Sequence, residues 1–157
     1  AMGFVLQECE LFHGTVAQNL RLGDPTVSDA ELNRAAQESG LLDHVLALPE
    51  GFHTRLTDTL VRRLPNGFKQ RLALARAYAQ RPPVYLLDEP GAGLDADGDR
   101  ALLRKLQALR GRATVLMVTH RPSHMRAADR VLVLRGGQIA DDGPPETVLA
   151  NMQQRTS

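Results

Sequence analysis

Two apolar runs, Val84-Tyr85-Leu86-Leu87 and the β-branched stretch from Ala113 to Thr119, are separated by little more than one helix. Continuous apolar character, without alternation, is what a strand covered on both faces requires. Between the runs, Leu102, Leu106 and Leu109 recur at helical spacing in Ala101 to Leu109. A strand, a crossover helix and a second strand force parallel pairing. After another helical stretch comes Val131 to Leu134, so the order predicts an α/β fold with a parallel sheet. The Gly136-Gly137 turn and Gln138-Ile139-Ala140 add a hairpin signal. Pro145 opens a last helix.

Upstream, Phe4-Val5-Leu6 reads as a short strand leading into the polar Gln7-Glu8-Cys9-Glu10. Ser28 and Glu31 have capping-box spacing and start a helix carrying Leu32, Ala35 and Ala36, with Gly40 as its stop. Leu41, Leu42, Val45 and Leu46 form a second helical face, and residues 49–63 read as irregular. Residues 70–80, dense in Leu, Ala and Arg, predict a packed helix with a solvated arginine face. Three parts are expected: 1–23, a strand and loop; 24–80, a helical subdomain; and 81–157, the sheet core.

The chain of 157 residues has a net charge of +1, which points to neither nucleic acid nor an anionic membrane as partner. The single Cys9 excludes an internal disulfide and reads as incidental. No apolar run is long enough to span a bilayer. His13, His44, His53 and His124 lack metal-ligand spacing and are expected at the surface or at helix ends. Ala1-Met2 reads as a remnant ahead of a chosen start, so the natural chain is expected to be longer.

The chemistry concentrates where the first apolar run ends, at Asp88-Glu89. Acids at the carboxyl end of a parallel strand stand where α/β folds bind ligands. Asp88 can hold a magnesium ion, and Glu89 can polarise a water for attack on phosphate. The plainer alternative, acids that merely end a strand, is weakened by their neighbours. These are Leu64-Pro65-Asn66-Gly67-Phe68 with Lys69-Gln70-Arg71, Gly93-Leu94-Asp95, Thr119-His120, and Gln7 with Leu11 to Leu20.

In order and spacing, these motifs resemble the ATP-binding domain of ABC transporters, the exporter type in particular, over almost the whole chain. The implied fold is a partial P-loop NTPase (RecA-like) parallel sheet with a helical subdomain. The resemblance implies ATP and Mg2+ as cofactors. It makes Asp88 the magnesium-side Walker B aspartate, Glu89 the catalytic base, and His120 the switch histidine that contacts the terminal phosphate. Gln7 would be the Q-loop glutamine sensing magnesium and water. Asn66, Gly67 and Phe68 would belong to the signature turn facing ATP, and Asp95 to the D-loop at a dimer interface. The partners implied are a second nucleotide-binding domain, head to tail, and exporter transmembrane domains docked on the helical insertion, at the cytoplasmic face of a membrane.

Two departures qualify this. The usual signature, Leu-Ser-Gly-Gly-Gln, is here Leu64-Pro65-Asn66-Gly67-Phe68, which lacks the hydroxyl and the terminal amide. Asn66 puts a side chain where the backbone should approach closely, though it is a competent helix cap. No Gly-x-x-x-x-Gly-Lys-Ser/Thr occurs. The chain therefore reads as the C-terminal part of an ATPase domain, inactive alone and prone to self-association through uncovered sheet. A nucleotide-binding half with little hydrolysis and a soluble ABC-type ATPase are the competing readings, and the exporter-like Leu11 to Leu20 argues against the second.

Overall fold

The computed structural model describes residues 2–6 and 9–155, which fall into two compact units divided after Val118. In the first unit, β1 (Met2–Val5), β2 (Val84–Asp88) and β3 (Thr114–Val118) form a parallel sheet in the order β1-β2-β3. Val5, Leu87 and Met117 lie side by side, so the three carboxyl ends are in register. Between β2 and β3 runs α6 (Ala96–Leu109), with Leu102, Leu106 and Leu109 buried as the spacing predicts.

Between β1 and β2 lie α1 (Val16–Leu20), α2 (Asp29–Glu38), α3 (Leu42–Leu46), a 3-10 turn at Gly51–His53, α4 (Asp58–Val61) and α5 (Phe68–Ala79). The stretch expected to be irregular thus contains two short helical turns. Ser28 caps α2 through the Glu31 amide, but the Glu31 side chain turns to Arg34 and Arg81 instead of closing a capping box. The full box forms at Thr15 and Gln18, opening α1. Val45 of α3 is buried, while Leu46 is exposed.

Helix α5 departs most from expectation. Ten of its residues are buried, Gln70 and Arg71 included, so it has no solvated arginine face. It packs against β1, α1 and α2. Arg34 of α2 ties the layers: it donates to the Tyr78 carbonyl at 2.9 Å and pairs with Glu31 and Glu38. Lys105 of α6 bonds Glu38 and lies over the Tyr78 ring, which meets Tyr85 edge-on at 6.2 Å.

The second unit holds α7 (Pro122–Arg126), the antiparallel hairpin β4 (Val131–Arg135) and β5 (Gln138–Gly143), and α8 (Pro145–Gln154). Contrary to the expected continuation of the parallel sheet, β4 pairs with β5 in a sheet of two strands. The two-residue Gly136-Gly137 connection favours local antiparallel pairing. His124 stands in the last turn of α7, the helix-end placement expected, and is wholly buried with its ring 3.4 Å from the Thr119 hydroxyl.

The flanking strands are not covered on both faces, as continuous apolar runs predict. Met2, Phe4 and Leu6 of the β1 segment and Leu116 and Val118 of β3 are all more than half exposed. The parallel register puts the strand residues among them on one side of the sheet. Such a surface approaches the ~300–600 Å2 of the largest apolar patch on an ordinary monomer. Packing two copies face to face would remove roughly 1,000 Å2, near the lower bound for a stable interface. Light scattering after size exclusion should therefore give a mass above that of one chain, and Leu116→Lys should lower it; a monomer at every concentration contradicts the expectation.

Candidate active site

The acid pair sits where the sequence puts it. Asp88 is the last residue of β2, half-buried, laterally paired with Val118. Glu89 follows with φ +45°, a left-handed conformation that costs a non-glycine residue roughly 1–2 kcal/mol. Its amide donates to the Val118 carbonyl at 2.9 Å, and its carbonyl accepts from the Ala92 amide at 2.9 Å. Two backbone bonds thus hold the strained residue where β2 ends. Backbone strain of this kind concentrates at functional sites.

The signature turn lies on the same unit. Asn66 is exposed and does not cap α5; Gly67 does, at φ +83°, with no side-chain bond. The Phe68 amide is instead taken by the Pro65 carbonyl at 3.1 Å. The Phe68 ring is only 1% exposed. A side chain so buried packs the core and offers no group to a ligand in solvent. An open cleft of about 780 Å3 borders this turn, lined among others by Glu10, Arg62, Asn66, Lys69 and Gly93. Cys9 also lines it, its thiol pushed up by burial against the opposing pull of Arg76 and Lys69.

Asp95 is engaged within the chain. It caps α6 by accepting from the Gly98 amide at 2.8 Å and pairs with the Arg71 guanidinium at 2.6 Å. The Gly98 amide, and then Arg71, hold its carboxyl below the usual carboxylate range. Gln70 donates to the Pro90 carbonyl at 2.8 Å. Neither Gln70 nor Arg71 was singled out in the sequence. Their only signal is that residues 72–75 and 77–79 are apolar around the whole helix, leaving no solvated face for polar neighbours.

His120 is exposed and belongs to the second unit. Gln7 lies outside the described residues. In the Leu11 to Leu20 motif the working residue is the buried Asn19, also missed, whose amide group bonds the Phe12 backbone in both directions.

Comparison with known proteins gives this arrangement a context. The family profile described as ABC transporter matches residues 1–92. The cyclolysin secretion/processing ATP-binding protein CyaB of Bordetella pertussis is 38% identical over 149 residues, covering 95% of this chain and 21% of that protein. The glutathione/L-cysteine transport system ATP-binding/permease protein CydD of Bacillus subtilis is 36% identical, covering 96% of this chain and 26% of that protein. Among solved structures, a bacterial Atm1-family ABC exporter with ATP bound superposes with a TM-score of 0.87 at 31% identity, covering all of this chain and 28% of the exporter chain. The chain thus spans about a fifth to a quarter of the length of these proteins. Fold and motifs define part of a P-loop-type ATPase domain, a parallel sheet with a helical subdomain. The chain belongs to the ABC transporter family, in its ATP-binding domain.

Three carboxyls beside α5 and α6 make the unit acid-sensitive. Besides Asp95, Glu31 is held low by the Arg34 hydrogen bond; burial would raise Glu38, but bonds from Lys105 and Arg34 override it. Folded values below unfolded ones contribute stability that is present above about pH 4 and lost as pH falls through the folded values. The thermal midpoint should be level from neutral pH to about 5 and fall below about 4. Asp95→Asn should lower the neutral plateau and shallow the acid limb; an unchanged acid limb would remove Asp95 from the account.

Proposed function

We propose that this chain supplies the acid pair and the signature turn of the ATPase domain of an ABC exporter, which couples ATP hydrolysis to transport. The observation that carries the reading is Glu89, held at φ +45° directly after Asp88 at the carboxyl end of the central strand.

In this reading Asp88 binds magnesium. The described residues contain no cluster of three ligating His, Cys, Asp or Glu side chains. That fits an ion that takes one or two carboxylates and keeps waters and phosphate oxygens. Bound there, magnesium would neutralise charge developing on the phosphates. Glu89 accepts the proton of the attacking water, a role separate from that of the carboxylate occupied with metal. His120 donates a hydrogen bond to the γ-phosphate, and Gln7 senses the metal and the water. Asn66 and Gly67 face ATP held by a second, head-to-tail domain. Helices α2 and α3 receive transmembrane domains, placing the chain at the cytoplasmic face of a membrane. No helix among the described residues is long and apolar enough to cross one. The sequence holds no phosphate-cradling loop, so this chain alone does not retain ATP.

A second reading, a half-site with little hydrolysis, is favoured by the signature turn. Pro65 has no N–H to donate, no hydroxyl stands at that position, and the Phe68 ring is buried.

In the whole transporter, Glu89→Gln should lower ATP turnover about 10²–10⁴-fold while ATP binding persists; turnover within twofold of the parent contradicts the role of Glu89. Rebuilding the turn with Pro65→Ser and Asn66→Gly should raise turnover about a hundredfold, the effect of one oxyanion-type donor. No gain would discard the second reading.

A further inference from the structure

We propose that Arg71, with Gln70 beside it, is a positioning residue that locks the signature turn to the segment running from Pro90 to Asp95, so that the two shift together. Its functional meaning rests on the ATPase reading above, since it would join the turn that faces one ATP to the acid pair serving another.

The Arg71 side chain is 2% exposed, and a charge so buried requires partners. One hand of the guanidinium, Nη2, donates to Asp95 Oδ1 at 2.6 Å; the other, Nη1, donates to the Asn66 carbonyl at 3.5 Å. Nε has no partner among the described residues, so the side chain is held for its geometry at the expense of one unsatisfied donor.

The surroundings are shaped to it. A Cβ on Gly67 would lie 2.7 Å from the Gly93 carbonyl oxygen and 3.0 Å from Arg71 Nη1. A Cβ on Gly98 would lie 2.9 Å from Arg71 Nη2. Two glycines, one before α5 and one inside α6, therefore make room for a single guanidinium, and no Cβ fits between Gly67 and the Gly93 carbonyl. In this chain the glycine retained in an otherwise altered signature is required by packing against the Pro90–Asp95 segment.

Gln70 grips the other end of that segment through the Pro90 carbonyl. Between the grips, Ala92 to Glu89 and Leu94 to Gly91 backbone bonds stiffen the turn. The residues from Glu89 to Asp95 thus form a short rigid piece fastened at both ends to the first turn of α5. A displacement of the signature turn is passed to the residue directly after Asp88 without leaving the chain.

Amide hydrogen exchange by NMR on the 157-residue chain, without nucleotide, tests this. Arg71→Met should speed exchange at Ala92, Leu94 and Gly98 at least tenfold and leave Leu32 and Val45 within twofold. Asn66→Gly should shift the Leu94 and Gly98 resonances in the parent and leave them unmoved in the Arg71→Met background. Uniform acceleration across the chain, unchanged exchange at residues 92–98, or equal shifts in both backgrounds would each overturn the proposal. If Arg71→Met does not fold, Asp95→Asn, which keeps a cap acceptor for Gly98, takes its place with the same expected outcomes. Because no nucleotide is present, failure of the ATPase reading leaves these results standing.

Discussion

A buried guanidinium needs partners that the fold must supply, a carboxylate above all. The Arg71–Asp95 pair meets that need in this chain. It joins the first turn of α5 to the first turn of α6, and α6 is the crossover that makes β2 and β3 parallel. It offers little as a source of net stability, because desolvating the charges offsets much of their attraction. What it contributes is placement: with Gln70 on Pro90, it fixes where the chain goes after the acid pair.

That placement explains how a strained residue survives. Glu89 in the left-handed region would relax in a free loop. Here the Val118 carbonyl holds its amide, the Ala92 amide holds its carbonyl, and α5 grips the residues on its far side. The unit therefore supports a costly backbone conformation at the residue directly after Asp88, the position proposed above for the catalytic base. The signature turn uses the same support for a different purpose. Its Phe68 ring is core, its Gly67 is clearance for Gly93, and only the exposed Pro65 and Asn66 face outward.

The legible parts of this fold were those with strong local signals. Apolar runs gave β2 and β3, leucine spacing gave α6, Ser28 marked the start of α2, and a glycine pair gave the β4–β5 hairpin. Asp88 and Glu89 were visible because acids ending an apolar strand conflict with ordinary patterning. The rest depended on long-range partners. Arg71 looks like a surface residue until Asp95, far along the chain, is known to accept it. His124 was legible as a helix-end residue, but its burial beside Thr119 was not. The apolar run of β3 taken alone suggested cover on both faces, but Leu116 and Val118 are exposed, in keeping with the uncovered sheet expected where the phosphate-cradling loop is missing.

The central claim is that this chain carries the acids and the signature turn of an ATP site but not the means to hold ATP. Calorimetric titration of magnesium ATP into the purified chain tests it most directly. The account predicts no saturable heat up to millimolar nucleotide; saturable binding with micromolar affinity would contradict it.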